Sequence, residues 1–446
     1  MFKILKILKN HIMNIAMFSD TFLPVYNGVS VEVSEMAEEL AKRGHNVLII
    51  TIHEKKEELE KRKNYLVYKL KGNKFKIYEG FFYKLFMPRK KLKKILEEFK
   101  PDIIHVHSPF VVGYWGIITA NKMKVPLIST YHTFLIQFVN EVLKSKSETK
   151  KRLLKFLFEK KPQQKITLKT LTKIGEPFAN LVYKTSDMVI APSKVVKKYL
   201  ISKKIHDVTV IYNWVKNEKY QDLRNELRKK FGINKKDFVV LHVGRISAEK
   251  KIGIVIKSVS LLKNKIPSIK LIITSEGPFR KELEKMVRKN GLEKNVVFTG
   301  FLSNEELNSV YKLADVFASA SPYDTFNLCV LRALKNGIPV IGTNEGGVGE
   351  LIINGRNGYK IKENKKMIVN YAKKIEFLYK NAKIRKNLGK NAKKLSKKYS
   401  FKKSMDETLN IYGTAIKKGR NYKKIQQLII QTYYRSVLSF IKIIKP

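Results

Sequence analysis

Apolar residues along this chain fall into short unbroken runs separated by longer stretches with a helical period. From Met13 the run M-N-I-A-M-F closes on the polar pair S-D, and a loop passes through Asn27 and Gly28. A helical pattern then extends from Val31 to Arg43, Gly44 stops it, and V-L-I-I-T follows. The order strand, loop, helix, strand recurs with I-I-H-V-H at 103–107, P-L-I-S-T-Y at 126–131 and M-V-I-A-P-S at 188–193. Runs without alternation suit strands buried on both faces, and their spacing by helices predicts a parallel sheet. After a hydrophilic interval at 214–236 the pattern restarts with V-V-L-H-V-G-R at 239–245, K-L-I-I-T at 270–274, N-V-V-F-T-G at 295–300, D-V-F-A-S at 315–319 and P-V-I-G-T at 339–343. The fold class is therefore α/β, with two domains in series, and ligands are expected beyond the C-terminal ends of the strands, in the cleft between the domains.

The length of 446 residues agrees with two cores rather than one. The boundaries read as a basic extension at 1–12, a first domain at 13–213, a second at 214–400, and C-terminal helices at 401–446 that return toward the first domain and end in a basic amphipathic tail. Charge changes the picture more than length does. The 90 Lys and Arg outnumber the 38 Asp and Glu, for a formal net charge of +52. Such an excess points to a polyanionic partner, and at this level nucleic acid and anionic lipid both qualify. The 144–173 segment carries eleven basic residues against two acids, with Leu153, Leu154, Leu157 and Phe158 at helical spacing beside Lys150, Lys151, Arg152 and Lys155. No acid follows Glu407, and the tail mixes aromatic and aliphatic residues with Lys and Arg. Basic helices with a separate apolar face suit a membrane surface, which favours lipid. No run reaches the length of a spanning helix, so a membrane would be met from one side, and the expected location is cytoplasmic, peripheral on the inner face of the cell membrane. Cys329 is the single cysteine, so no intramolecular disulfide can form.

Three loops carry candidate chemistry. In S-D-T-F-L-P-V-Y-N-G-V-S, at 19–30, Gly28 permits a close approach to a phosphate at a helix N-terminus. In G-R-I-S-A-E-K, at 244–250, Arg245 offers a planar fork and Lys250 a point charge, a pairing suited to a diphosphate. In the segment D-T-F-N-L-C-V-L-R-A-L-K-N-G-I-P-V-I, at 324–341, Asp324 stands where a carboxylate can accept from sugar hydroxyls or cap the helix. The amides of Phe326, Asn327 and Leu328 come next at the helix start.

In this order and spacing the loops resemble those of glycosyltransferase family 4, the retaining enzymes of the GT-B fold, over about residues 13 to 415. R-G-H-N-V, P-D-I-I-H-V-H-S-P-F, T-Y-H-T, A-P-S, E-G-P and A-D-V-F-A-S-A extend the match. The resemblance implies two Rossmann-like domains with parallel sheets facing an interdomain cleft. It implies Gly28 beside a donor diphosphate, His132 at the donor sugar, and Arg245 with Lys250 neutralising the departing diphosphate. Asp324 takes the first place of the family's E-x7-E motif. The second place holds Arg332 where the family has Glu, which replaces an acceptor for the ribose by a guanidinium that only donates.

The first domain looks most like the branch that glucosylates diacylglycerol, with lipid mannosyltransferases nearby. The expected activity is metal-independent, retaining transfer of a hexose, glucose first, from a UDP-sugar to a membrane lipid. No D-x-D occurs in the chain, so neither a metal nor another cofactor is expected. The alternatives are a GDP-mannose-dependent lipid mannosyltransferase and a non-catalytic lipid-binding protein on a decayed transferase fold. A nucleic-acid partner is not expected, since no zinc-finger spacing or RNP-like motif accompanies the charge.

Overall fold

The computed structural model describes residues 12–25, 27–53, 57–74, 82–83, 89–134, 180–216 and 220–420. Lys150, Lys151, Arg152 and Lys155, nearly all of the basic N-terminal extension and the tail beyond Arg420 lie outside the described residues. The chain divides into two compact units, one of residues 1–136, 152–212 and 402–446, the other of 137–151 and 213–401.

In the first unit the strands are β1 (Asn14–Phe18), β2 (Asn46–His53), β3 (Glu58–Lys61), β4 (Leu66–Lys71), β7 (Ile103–Val106), β8 (Leu127–Thr130), β9 (Met188–Ala191) and β10 (Val208–Val210), with β5 (Asn73–Lys74) and β6 (Phe82–Tyr83) as a separate pair. Eight of them form one sheet in the order β10-β9-β8-β7-β1-β2-β4-β3, parallel except for the edge strand β3. Its helices include α1 (Gly28–Lys42), α2 (Arg89–Phe99), α3 (Val111–Met123) and α4 (Lys194–Ser202). The central strands read as continuous apolar runs because both faces are covered: Ile15, Ala16, Met17, Phe18, Ile103 and Ile104 are all fully buried. Ile15 lies in register with Val47 on one side and Ile103 on the other.

In the second unit β11 (Phe238–Val243), β12 (Ile269–Thr274), β13 (Val296–Phe298), β14 (Val316–Ser319), β15 (Val340–Thr343) and β16 (Gly358–Ile361) form an all-parallel sheet in the order β13-β12-β11-β14-β15-β16. Its helices are α5 (Arg224–Lys230), α6 (Ile252–Ser260), α7 (Arg280–Lys289), α8 (Asn304–Tyr311), α9 (Leu328–Lys335), α10 (Gly346–Leu351), α11 (Met367–Lys380) and α12 (Ala382–Ser396). Counted from β11, this is the doubly wound order 3-2-1-4-5-6. The direction of winding reverses between β11 and β14, so the loops leaving those two strands diverge and open a crevice at their C-terminal ends. In the first unit the same reversal falls between β1 and β7. The ten strand segments read from the sequence all form strands. The short strands β3, β4, β10 and β16 and the β5–β6 pair were not foreseen. They lie at sheet edges or outside the two main sheets, or, like β4, mix Lys and Tyr into the apolar run.

The last described helix, α13 (Phe401–Lys418), packs almost wholly on the first unit, where Met405, Thr408, Tyr412 and Ala415 are buried. The Tyr412 hydroxyl lies 2.7 Å from His105 Nδ1 in the middle of β7, and Thr130 Oγ1 lies 2.8 Å from His105 Nε2. Both nitrogens of a buried strand histidine are thereby satisfied. Just past α13, the fully buried Arg420 side chain donates to Asp187 Oδ2 at 2.7 Å and to Asn121 Oδ1 at 3.1 Å. Asp187 also accepts from Leu127 N–H at 2.8 Å, so the helix end is tied to the sheet. Replacing Tyr412 by Phe removes one partner of His105 without changing shape, and should cost about 1–2 kcal/mol. Denaturant unfolding followed by the buried Trp115 reads this; an unchanged midpoint would mean that the contact holds nothing.

Candidate active site

In the second unit the loop after β11 is fixed by backbone contact. Ile246 N–H donates to the Glu276 carbonyl and Phe279 N–H donates to the Ile246 carbonyl, each at 3.0 Å. A Cβ on Gly277 would sit 2.2 Å from the Ile246 oxygen, so the E-G-P turn needs glycine to hold the segment that carries Arg245. From this loop Lys250 Nζ reaches Asp324 Oδ1 at 2.5 Å, with 22% and 15% of the two side chains exposed. Asp324 belongs to the loop after β14. Asn327 joins the same cluster: its Nδ2 donates to Asp324 Oδ2 at 2.6 Å while its Oδ1 accepts from Val330 N–H at 2.8 Å, capping α9. The helix cap is therefore Asn327, and Asp324 is free to serve as the carboxylate of an ion pair.

Burial alone would raise the Asp324 pKa. The Lys250 ammonium and the hydrogen bonds from Lys250 and Asn327 outweigh it and hold the carboxyl below its usual range. Burial likewise works against the Lys250 charge, and Asp324 followed by Glu249 more than restores it. Each partner thus keeps the other ionised in a site that is mostly out of water. His242, on β11, is buried beside the pair; burial depresses its pKa to about 4, and the Lys250 charge adds to that. Its Nδ1 donates to the Ala318 carbonyl at 2.9 Å, leaving the Nε2 lone pair buried without a hydrogen-bond partner.

Phe326 is buried, and Leu328 opens α9. Arg332 lies on α9 half-buried; its charge is felt at Cys329 and at Tyr311, and it makes no ion pair among the described residues. The N-E-G-G turn after β15 was not picked out beforehand. Gly347 N–H donates to the Asp324 carbonyl at 2.6 Å, and a Cβ there would lie 2.7 Å from Phe326 Cα. Three glycines within four residues after a strand were the available signal.

In the first unit Asn27 caps α1 by accepting from Val29 and Ser30 N–H, both at 3.0 Å, with Gly28 exposed at the first helical position. His132 is buried. Its Nδ1 lies 3.6 Å from Glu32 Oε2 and its Nε2 lies 3.2 Å from His107 Nδ1, with the two rings stacked. The two histidine nitrogens share one hydrogen bond whose direction follows their tautomers, and His107 Nε2 is buried without a partner. Glu32 and His107 were missed as site residues, because α1 and β7 bring them to His132 from positions far apart in sequence. Asp20, in the loop after β1, accepts from Ser108 Oγ and from Val112 N–H at 3.0 Å. Among the described residues no group of three or more His, Cys, Asp and Glu is arranged to hold a metal ion, and no helix is long and apolar enough to cross a membrane.

Both units thus present their polar side chains where the winding of the sheet reverses, with a protonated lysine and an ionised aspartate at the head of a helix in the second. Residues 26–219 match the family model described as Glycosyltransferase Family 4, and residues 224–395 match the one described as Glycosyl transferases group 1. The chain belongs to glycosyltransferase family 4. It is a hexosyltransferase of the GT-B fold. Alpha-monoglucosyldiacylglycerol synthase of Acholeplasma laidlawii is 27% identical over 400 residues, which are 87% of this chain and 94% of that protein. A GDP-mannose-dependent alpha-mannosyltransferase of Corynebacterium glutamicum is 26% identical over 353 residues, 78% of this chain and 76% of that one. Among solved structures, Anabaena HepE in complex with UDP and glucose superposes with a TM-score of 0.67 at 17% identity, covering 89% of this chain and 98% of that one, a likeness of fold.

The histidine cluster of this glycosyltransferase makes its first unit acid-sensitive. Burial holds His105 and His132 at about 3 and His107 well below 6.5, so all three stay neutral when folded and take up protons near 6.5 when unfolded. Their stabilisation is complete above about pH 6.5 and lost as pH falls below it. Asp20 opposes them: burial raises it to about 6 from 3.8, so the folded protein takes up its proton first and gains stability between those values on acidification. Each proton is worth about 1.4 kcal/mol per pH unit. Measured by denaturant unfolding between about pH 6 and 4, Asp20→Asn should steepen the loss by about one proton and His132→Gln should flatten it by about one. Equal slopes in all three proteins would contradict these protonation states.

Proposed function

We propose that this glycosyltransferase moves a hexose, glucose, from a UDP-sugar to a membrane lipid of the diacylglycerol type, with retention of anomeric configuration. The observation that carries the donor half is the Lys250–Asp324 pair with Asn327 at the head of α9. A bound diphosphate competes with Asp324 for the Lys250 ammonium, and the carboxylate so released turns to the sugar hydroxyls. Arg245, on the same loop as Lys250, adds bidentate donors to the phosphates. The leaving group is then stabilised by fixed cations in a site of low water content, the role a divalent metal would otherwise play. In this reading Phe326, Asn327 and Leu328 belong to the donor site of the second unit, and Gly28 is a candidate phosphate-contacting position of the first. His132, with Glu32 and His107 beside it, is the first unit's histidine assigned to the sugar in this reading. The departing phosphate takes the acceptor proton, so no separate protein base is needed.

The acceptor half is supported by the diacylglycerol product in the name of the Acholeplasma relative and by the excess of basic residues, whose attraction to an anionic surface is worth roughly 1 kcal/mol for each residue close to it. We place the enzyme on the cytoplasmic face of the membrane. A second reading, transfer of mannose from GDP-mannose, is favoured by the Corynebacterium relative. Purified protein incubated with UDP-glucose, UDP-galactose and GDP-mannose, and with vesicles containing diacylglycerol, should yield a hexosyl lipid by mass from UDP-glucose, undiminished by EDTA. Product from GDP-mannose alone would establish the second reading, and the absence of any product would overturn the proposed donor and acceptor. In the same assay, Arg332→Glu should lower the donor KM several-fold if position 332 faces the ribose. An unchanged KM removes Arg332 from the donor site.

A further inference from the structure

The second unit carries a charged surface that the donor chemistry does not use. Helix α12 and the two residues after it, from Ala382 to Lys398, hold seven lysines and one arginine and no acid. The arginine is accounted for: Arg385 pairs with Asp315 at 3.2 Å and lies over the Phe238 ring. The lysines are arranged differently. At 100° per residue, Lys383, Lys386, Lys390, Lys393, Lys394 and Lys397 fall within one arc of about 120°. All six are exposed, while Leu388, Gly389, Ala392 and Ser396 bury the opposite side. The stripe is about 21 Å long. Among the described residues none of these six ammonium groups is in an ion pair.

The arrangement works against the helix itself. Three lysine pairs at i,i+3 and three at i,i+4 bring like charges together, and such pairs destabilise a helix. Elsewhere in the molecule exposed helices relieve their lysines: α7 interleaves Glu282 and Glu284, and α1 sets Glu38 against Lys42 at 2.9 Å. A stripe that repels itself and has no internal counter-charge fits an external anionic surface. Its width and straightness fit a plane. Lysine supplies diffuse point charge rather than the forked, stacking contacts of arginine, and neither an arginine nor an aromatic residue stands on the stripe. The exposed Ile384 beside its first turn adds a small apolar contact at an interface.

We propose that the α12 stripe is an electrostatic docking surface for an anionic lipid bilayer, through which the donor-binding unit itself engages the membrane. This rests on the reading that the acceptor is a membrane lipid, and it is separate from the basic segments singled out in the sequence at 144–173 and in the C-terminal tail. Docking of this kind is salt-sensitive and requires no single residue.

The test uses the full chain and sedimentation with vesicles of phosphatidylcholine, with and without phosphatidylglycerol, at about 0.15 M salt. One variant carries K383Q, K386Q, K390Q and K394Q. A charge-matched control carries K281Q, K285Q, K289Q and K294Q, all exposed lysines on or near α7. We expect the parent and the control to bind phosphatidylglycerol vesicles alike and the stripe variant to bind about tenfold more weakly or worse. Its thermal midpoint should be unchanged or raised, because like-charge repulsion is relieved. Transfer to diacylglycerol in neutral detergent micelles is measured in parallel. If the parent and stripe variant bind vesicles equally while micellar transfer proceeds, the docking surface is refuted and the lipid-acceptor reading stands. If micellar transfer fails, the lipid-acceptor reading falls whatever the vesicles show. Binding of duplex DNA as tight as that of vesicles, with the same loss in the stripe variant, would assign the stripe to nucleic acid and overturn the proposal.

Discussion

Lys250 and Asp324 meet at 2.5 Å in surroundings that exclude most water. Neither charge would be tolerable there alone, and their mutual attraction with the Asn327 amide makes both permanent at neutral pH. The pair depends on the sheet beneath it. β11 and β14 are neighbours whose following loops wind in opposite directions, so one strand end delivers the lysine and the other the aspartate to the same crevice. The loops hold their places through backbone contacts that admit only hydrogen at Gly277 and Gly347. In the proposed reaction the charge on the phosphates of a nucleoside diphosphate has to be stabilised, and this arrangement would hold a cation ready for it.

The first unit solves a different problem with the same topology. At its winding reversal the β1 and β7 loops meet through Asp20 and Ser108, and a row of histidines descends from His132 through His107 to His105. The deepest ring is satisfied by α13 through Tyr412, whereas Nε2 of the middle ring has no partner. A C-terminal helix that packs on the first unit is thus part of what shapes the polar end of that unit's sheet.

Much of the fold was legible in sequence because parallel strands buried on both faces leave continuous apolar runs. Edge strands such as β10 and β16 leave weaker traces, being short or covered on one side only. The polar cluster of the second unit was legible where its members follow a strand directly, as with Lys250 and Asp324. Contacts were not legible where the fold brings distant residues together. Glu32 reads as one of several helix acids until α1 sets it against His132, and His242 reads as one position of a strand. The cap at Asn327 shows the limit of local rules: Asp324 and Asn327 both suit an N-cap, and only the geometry assigns the cap to Asn327 and the ion pair to Asp324.

The account stands on Lys250 being the cation that a nucleoside diphosphate captures from Asp324. Calorimetric titration of UDP into the parent protein and into Lys250→Met measures this without reference to acceptor or membrane. The loss of a desolvated, charge-assisted contact should weaken UDP binding by about 2–3 kcal/mol, thirtyfold or more. Equal affinity in the two proteins would contradict the account.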